Sequence, residues 1–161
     1  MRIEAFERLY EEHAEALLAF LVYRTGNRGL AEDVLADTFE RALRARRRFD
    51  PRKASEKTWL YSIALNLLRD NARRQVAENR AMERSVPVHA GEHGGSFDAI
   101  GERDSLARAM TCLSDDERES IALRFGADLT VPEIARLTGE KLTTVEGRVY
   151  RALRKLRAEL D

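Results

Sequence analysis

The sequence predicts an all-α fold: two small helical domains joined by a flexible linker. Three observations carry this. Apolar residues recur three and four apart through almost every long segment, and no stretch alternates as a strand does. The stretch Val86-Pro87-Val88-His89-Ala90-Gly91-Glu92-His93-Gly94-Gly95-Ser96 has no period and holds most of the chain's breakers. Near the C-terminus a capped short helix, a glycine turn and a longer basic helix follow one another, the layout of a helix-turn-helix.

Each element has its own reason. Phe6, Leu9, Tyr10, His13, Leu17, Phe20 and Leu21 form one stripe of a first helix, which Thr25-Gly26-Asn27-Arg28-Gly29 breaks. A second helix is expected from about Leu30 to Arg48, burying Leu30, Val34, Leu35, Thr38, Phe39 and Leu43. Its basic tail, Arg44, Arg46, Arg47 and Arg48, suits the negative end of a helix dipole, and Phe49-Asp50-Pro51 stops it. A third helix from about Lys57 to Arg74 turns Trp59, Leu60, Ile63, Ala64, Leu67 and Leu68 inward. Residues 76–104 read as the linker, with a reach of at most ~100 Å if fully extended.

Beyond it, Leu106, Ala109, Met110 and Leu113 mark a short helix. Ser114-Asp115-Asp116-Glu117 reads as a capping box, with Ile121, Ala122 and Phe125 behind it. Thr130-Val131-Pro132-Glu133 is a second capping box, ahead of Ile134, Ala135 and Leu137. Gly139-Glu140-Lys141 turns the chain, and Thr143-Thr144-Val145-Glu146 opens a last helix running to about Leu160. The domains are thus 1–75 and 105–161.

Composition excludes several classes. The chain has 161 residues, 43% apolar and 35% charged. Its 28 basic and 28 acidic residues cancel, but residues 1–75 carry +3, residues 76–104 carry −3 and residues 105–161 carry 0. Local clusters matter more than that sum. The single cysteine, Cys112, excludes an intramolecular disulfide framework and a Cys-rich zinc module. It reads as a small buried apolar residue. No apolar run approaches the ~18–20 residues of a membrane span, and Met1-Arg2-Ile3-Glu4 opens straight into an amphipathic pattern. A soluble cytoplasmic protein without membrane insertion is expected. There is no P-loop, Gly-x-Ser-x-Gly or His-Glu-x-x-His, so an enzyme is not expected and no cofactor is called for. His89 and His93 lie in a Gly-rich stretch with only Cys112 nearby, too few ligands for a metal.

The last helix carries Arg148, Arg151, Arg154, Lys155 and Arg157 beside an apolar stripe of Val145, Val149, Ala152, Leu153 and Leu156. The leading end of such a helix enters the major groove, where arginine reads guanine and basic side chains meet phosphates. Upstream, Asp33, Asp37 and Glu40 recur at i, i+4 and i+7 with Glu32 beside them. In the third helix Arg69, Arg73 and Arg74 lie about a turn apart, with Lys53 and Lys57 before them and Trp59 and Tyr61 near. Basic groups with aromatics suit a separated single strand, although a Trp at this spacing is mainly a core residue.

Residues 129–156, LTVPEIARLTGEKLTTVEGRVYRALRKL, resemble region 4 of the sigma-70 family. Residues 31–43, AEDVLADTFERAL, resemble the region 2 helix that grips RNA polymerase, and residues 59–70, WLYSIALNLLRD, the helix that melts the −10 element. Three motifs in order, with no further domain, resemble the extracytoplasmic-function (ECF, group 4) sigma factors. The resemblance implies a promoter-recognition factor whose partners are core RNA polymerase, through its β′ clamp helices and β flap, promoter DNA and an anti-sigma factor. It implies polymerase binding by Glu32, Asp33, Asp37, Glu40 and Arg41. It implies −10 contacts by Lys53, Lys57, Trp59, Tyr61, Asn66, Arg69, Arg73 and Arg74, with residues 50–57 forming a pocket for a flipped base. It implies −35 contacts by Thr143, Thr144, Glu146, Arg148, Tyr150, Arg151, Arg154 and Lys155.

The sequence departs from the family at three places. Leu65 stands where the family often has Arg, and Glu146 and Gly147 stand where it has Lys and Ser. Glu146 is either the N3 partner of a Thr143 cap or an acceptor for a cytosine amino group. Two other classes compete. One is a sigma-like interaction protein that binds an anti-sigma factor or polymerase without directing transcription. The other is a free-standing helix-turn-helix regulator, which needs a dimerisation segment that the sequence lacks.

Overall fold

The computed structural model describes residues 1–83 and 102–161. Among these there is no strand. The N-terminal half is built from α1 (Ile3–Thr25), α2 (Arg28–Ala45) and α3 (Glu56–Glu83), and the C-terminal half from α4 (Glu102–Met110), α5 (Asp115–Ile121), α6 (Val131–Thr138) and α7 (Leu142–Leu160).

The first three helices form a bundle around aromatic and aliphatic side chains. Leu9, Leu17, Phe20 and Leu21 of α1 meet Ala31, Val34, Phe39 and Ala42 of α2 and Leu60, Tyr61, Ala64, Leu65, Leu67 and Leu68 of α3, all buried. Each large side chain contributes roughly 1.5–3 kcal/mol on burial. Phe39 takes Phe6 and Tyr10 edge-on, at 6.3 and 4.8 Å between ring centroids, and Phe20 meets Tyr61 at 5.4 Å. Thr38 is buried without penalty because its hydroxyl donates to Val34 O at 2.6 Å. Leu65, the first departure from the family pattern, has become a core residue at 1% exposure. α1 ends at Gly26, whose φ of 67° lets its N–H close onto Val22 O, and the Asn27 side chain then accepts from Leu30 N–H to start α2.

The third helix is longer than its expected end at Arg74. Residues 75–83 continue it without a breaker, drawn mostly from good helix formers, so part of the expected linker is helical. The remainder, with His89 and His93, lies outside the described residues.

The C-terminal half uses short helices held by their ends. Ser114 caps α5 by accepting from Glu117 N–H, and Thr130 with Glu133 forms the reciprocal capping box of α6. Arg118 donates to Met110 O and Leu113 O, each at 3.1 Å, and so occupies carbonyls left over where α4 ends. Ile121, Ala122, Leu123, Ala127, Leu129, Ile134, Val145, Val149, Ala152 and Leu156 form the core here.

Two expectations change. After α5 the chain makes one wide turn over Ala122–Gly126, closed by Ala127 N–H to Ala122 O at 2.9 Å. The extra residue rotates the stripe, so Leu123 is buried while Phe125 faces out, 56% exposed under the Arg124 guanidinium. Cys112, expected inside, is exposed in the turn after α4.

The halves are docked. α1 packs on the wide turn and on α5, and α3 packs on α6. Arg24 of α1 bonds Glu119 of α5 at 3.3 Å, and Lys57 reaches Asp128 O at 3.5 Å. A side chain at Gly126 would approach the Phe20 Cα at 4.0 Å, so backbones meet closely at this seam.

Candidate nucleic-acid interface

On α2, residues 31, 34, 38, 39 and 42 turn inward, which leaves Glu32, Asp33, Asp37, Glu40 and Arg41 all exposed on the other side. Arg28 pairs with Glu32 at 3.1 Å and Arg44 with Glu40 at 2.5 Å, both i,i+4. Asp33 and Asp37, a turn apart, carry no ion pair of their own among the described residues. The middle of the stripe is therefore its free negative charge.

On α3, the same burial logic puts Asn66, Arg69, Arg73 and Arg74 outside. Arg73 leans on Asp70 at 3.8 Å, a weak exposed pair. In the preceding loop Lys53 is exposed, and Asp50 holds Arg52 N–H at 2.9 Å. Trp59 is half-buried, its ring 5.1 Å from that of Phe49, so one edge of an aromatic pair borders the loop. Lys57 is half-buried and occupied by the docked C-terminal half, where it faces Glu133 as well as Asp128 O. Arg69 likewise faces Glu140.

Tyr61 is placed differently from the expectation. It is fully buried against Phe20, its hydroxyl has no partner, and burial pushes its ionisation well up. Its ring is not available to a base in this arrangement. The reason is its position: it follows Leu60 and precedes Ala64 on the inward side of α3.

On α7 the outward row is Thr143, Thr144, Glu146, Tyr150, Arg151 and Arg154, all exposed, with Tyr150 at 64%. Two of the expected contacts are engaged inside the protein instead. Lys155 bonds Glu117 of α5 at 2.7 Å, and this bond is the main reason the Glu117 carboxyl sits below its usual range. Arg148 makes a two-pronged bond to Glu140 and is only 14% exposed, with Nη1 3.4 Å from Ser120 Oγ. That pairing holds the Glu140 carboxyl low and the Arg148 guanidinium high.

The capping reading of Glu146 falls. Gly139 ends α6 at φ 73°, and α7 starts at once from Lys141, with no side-chain cap. Thr143 is already inside the helix, so Glu146 is not the N3 partner of a cap there. Glu140 was not singled out by sequence reasoning. The one available signal was an acid placed directly after the turn glycine, eight residues before Arg148. Arg24 and Glu119 carried no signal at all, being 95 residues apart.

An acidic helix face, a basic helix beside an aromatic-edged loop, and a helix-turn-helix with an exposed leading end define a multi-part helical protein with separate anionic and cationic faces. The comparisons with known proteins go further. Residues 9–78 match Sigma-70 region 2, and residues 103–156 match Sigma-70, region 4. The RNA polymerase sigma factor CnrH of Cupriavidus metallidurans is 33% identical over 98% of this chain and 87% of its own length. The ECF RNA polymerase sigma factor BldN of Streptomyces coelicolor is 29% identical over 95% of this chain, which spans 59% of BldN. The sigma factor RpoE of Bartonella quintana, solved with the anti-sigma factor NepR, superposes with a TM-score of 0.81 at 25% identity, covering 98% of this chain and 97% of that one. The chain belongs to the sigma-70 family, and within it to the ECF sigma factors of RNA polymerase.

Proposed function

We propose that this chain brings core RNA polymerase to promoters by dividing the work among three helices. The exposed acids Asp33 and Asp37, flanked by Glu32, Glu40 and Arg41, dock α2 on a basic element of polymerase, the β′ clamp helices, while the C-terminal half meets the β flap. Lys53, Trp59, Asn66, Arg69, Arg73 and Arg74 line the −10 contact, where cations track the backbone and an aromatic edge borders an unstacked base, and Lys57 joins them when the C-terminal half moves off it. Thr143, Thr144, Glu146, Tyr150, Arg151 and Arg154 meet the −35 element. Residues 1–75 and 105–161 act as two domains tethered to one polymerase, so neither needs tight DNA binding alone. The near-zero net charge suits that arrangement. An anti-sigma factor is the expected regulator, as the solved relative with NepR suggests. The site of action is the cytoplasm, and RNA synthesis itself belongs to the polymerase.

The observation that carries the reading is the separation of free charge: unpaired acids on α2, cations on α3 and α7. The test is run-off transcription with purified core polymerase and a genomic fragment library. New transcripts sharing a two-part upstream element are expected. Asp33→Lys with Asp37→Lys should abolish core binding in a pull-down while leaving the helical signal intact. Retention of core binding by that double variant would remove α2 from the interface.

A further inference from the structure

Two contacts at the leading end of α7 decide which guanidinium is free. Arg148 is the first cation of the helix, yet it points inward. The turn after Gly139 delivers the Glu140 carboxylate to it, with Glu140 N–H tied to Ala135 O at 3.0 Å. Gly147 does the opposite for Arg151. A side chain at 147 would stand 3.0 Å from Arg151 Nη1. The Arg151 guanidinium thus lies folded back over Gly147 toward the helix N-terminus, the direction long helical side chains take. Arg151 is exposed and has no ion-pair partner among the described residues.

Glycine inside a helix is unfavourable relative to alanine. Its φ here is not in the left-handed region, so the backbone does not require it. A local rule broken without a gain in stability points to function.

We propose that Gly147 is a specificity-determining position. Its missing side chain seats the Arg151 fork over the first turns of α7, and Glu140 withdraws Arg148 from the DNA face. Arg151 is then the guanidinium presented to a guanine edge, where a two-pronged bond to O6 and N7 discriminates most strongly. A methyl group at 147 would stand 3.0 Å from Arg151 Nη1 and so denies the fork this seat over the helix. The fold is spared, because the displaced atoms are the far end of a flexible side chain.

The inference rests on reading α7 as the −35 helix, and the test separates the two. Holoenzyme assembled from core polymerase and the full chain selects from promoters randomised across the upstream element. The wild type should enrich guanine at one position. Arg151→Ala should weaken that preference about tenfold or more, Gly147→Ala should weaken it at the same position, and the double variant should be no worse than Arg151→Ala alone. Gly147→Ala should also melt no lower than the wild type, which separates base choice from folding. An unchanged preference in Gly147→Ala overturns this inference alone. Loss of the same guanine preference in a folded Arg148→Lys variant also overturns it. If the wild-type holoenzyme enriches no upstream element, the −35 role of α7 falls and the inference with it.

Discussion

In the N-terminal half, helices of 23, 18 and 28 residues bury long rows of Leu, Phe and Ala, and the ion pairs Arg28–Glu32, Arg44–Glu40 and Arg73–Asp70 each run along a single helix. In the C-terminal half, helices of 9, 7 and 8 residues precede one of 19, and side chains tie separate elements together: Lys155 to Glu117, Arg148 to Glu140, Arg118 to the end of α4. Short helices are marginal alone, so they need caps and cross-links where long ones need only an apolar face. The difference has a functional corollary. The N-terminal half leaves Asp33, Asp37 and Arg74 free for partners, whereas the C-terminal half consumes part of its charge in holding itself together.

The largest test of this contrast is Phe20→Ala. Phe20 is fully buried, meets Tyr61 edge-on and lies at the seam with the wide turn. The cavity should cost about 3–5 kcal/mol, read as a lower midpoint in urea. Hydrogen exchange should quicken in both halves, because the seam is shared.

Acid should split the halves. Glu117, Glu133 and Glu140 all sit below their ordinary range near 4.5, held there chiefly by Lys155, by the Thr130 backbone N–H and by Arg148 respectively. A depressed carboxylate stabilises the fold above its unfolded value and loses that contribution as pH falls through the folded one. All three are in the C-terminal half, so below about pH 4.5 its amides should lose more protection than those of the N-terminal half. His13 in α1 works in an earlier window. Burial lowers it first of all and Lys57 adds to this, against Glu12 and Glu56. The unfolded chain takes up that proton below about pH 6.5, so a smaller loss in the N-terminal half should precede the acidic one. Asparagine at 13 should remove the early step.

Thr130→Ala deletes the side-chain arm of the α6 capping box, the bond that the Thr130 hydroxyl accepts from Glu133 N–H, and keeps the backbone N–H at 130 on the Glu133 carboxylate; it should cost about 1 kcal/mol, confined to α6 and the turn that follows. Arg24→Ala leaves Glu119 at 14% exposure without its partner and should loosen the seam; a rise in radius of gyration by small-angle scattering is the readout. Tyr61→Phe should have the smallest effect and the opposite sign. It removes a buried hydroxyl that has no partner, so stability should hold or rise by up to about 1 kcal/mol.

Much of this was legible in the sequence. The inward rows of α1, α2 and α3 follow from spacing alone, as do the exposed acids of α2 and the capping box at Thr130. Tyr61, Phe125 and Cys112 were misread for local reasons: an inward register beside Leu60, one extra residue in a turn, and a cysteine that falls just past a helix end. Periodicity reports which side of a regular helix is apolar, and it is silent where a helix widens or stops.

By itself the sequence determined the helices, their order and the three charged faces, because spacing, caps and breakers act over a few residues. Which charges remain free depends on how the helices pack. Arg148 and Lys155 look alike with Arg151 and Arg154 in the sequence, yet the first two end beside Glu140 and Glu117 and the others do not. The same holds for Arg24 and Glu119, which meet only when the halves dock. A charge is spent by whatever the fold carries to within about 3 Å of it, and that distance is set by packing between elements rather than by any pattern within one.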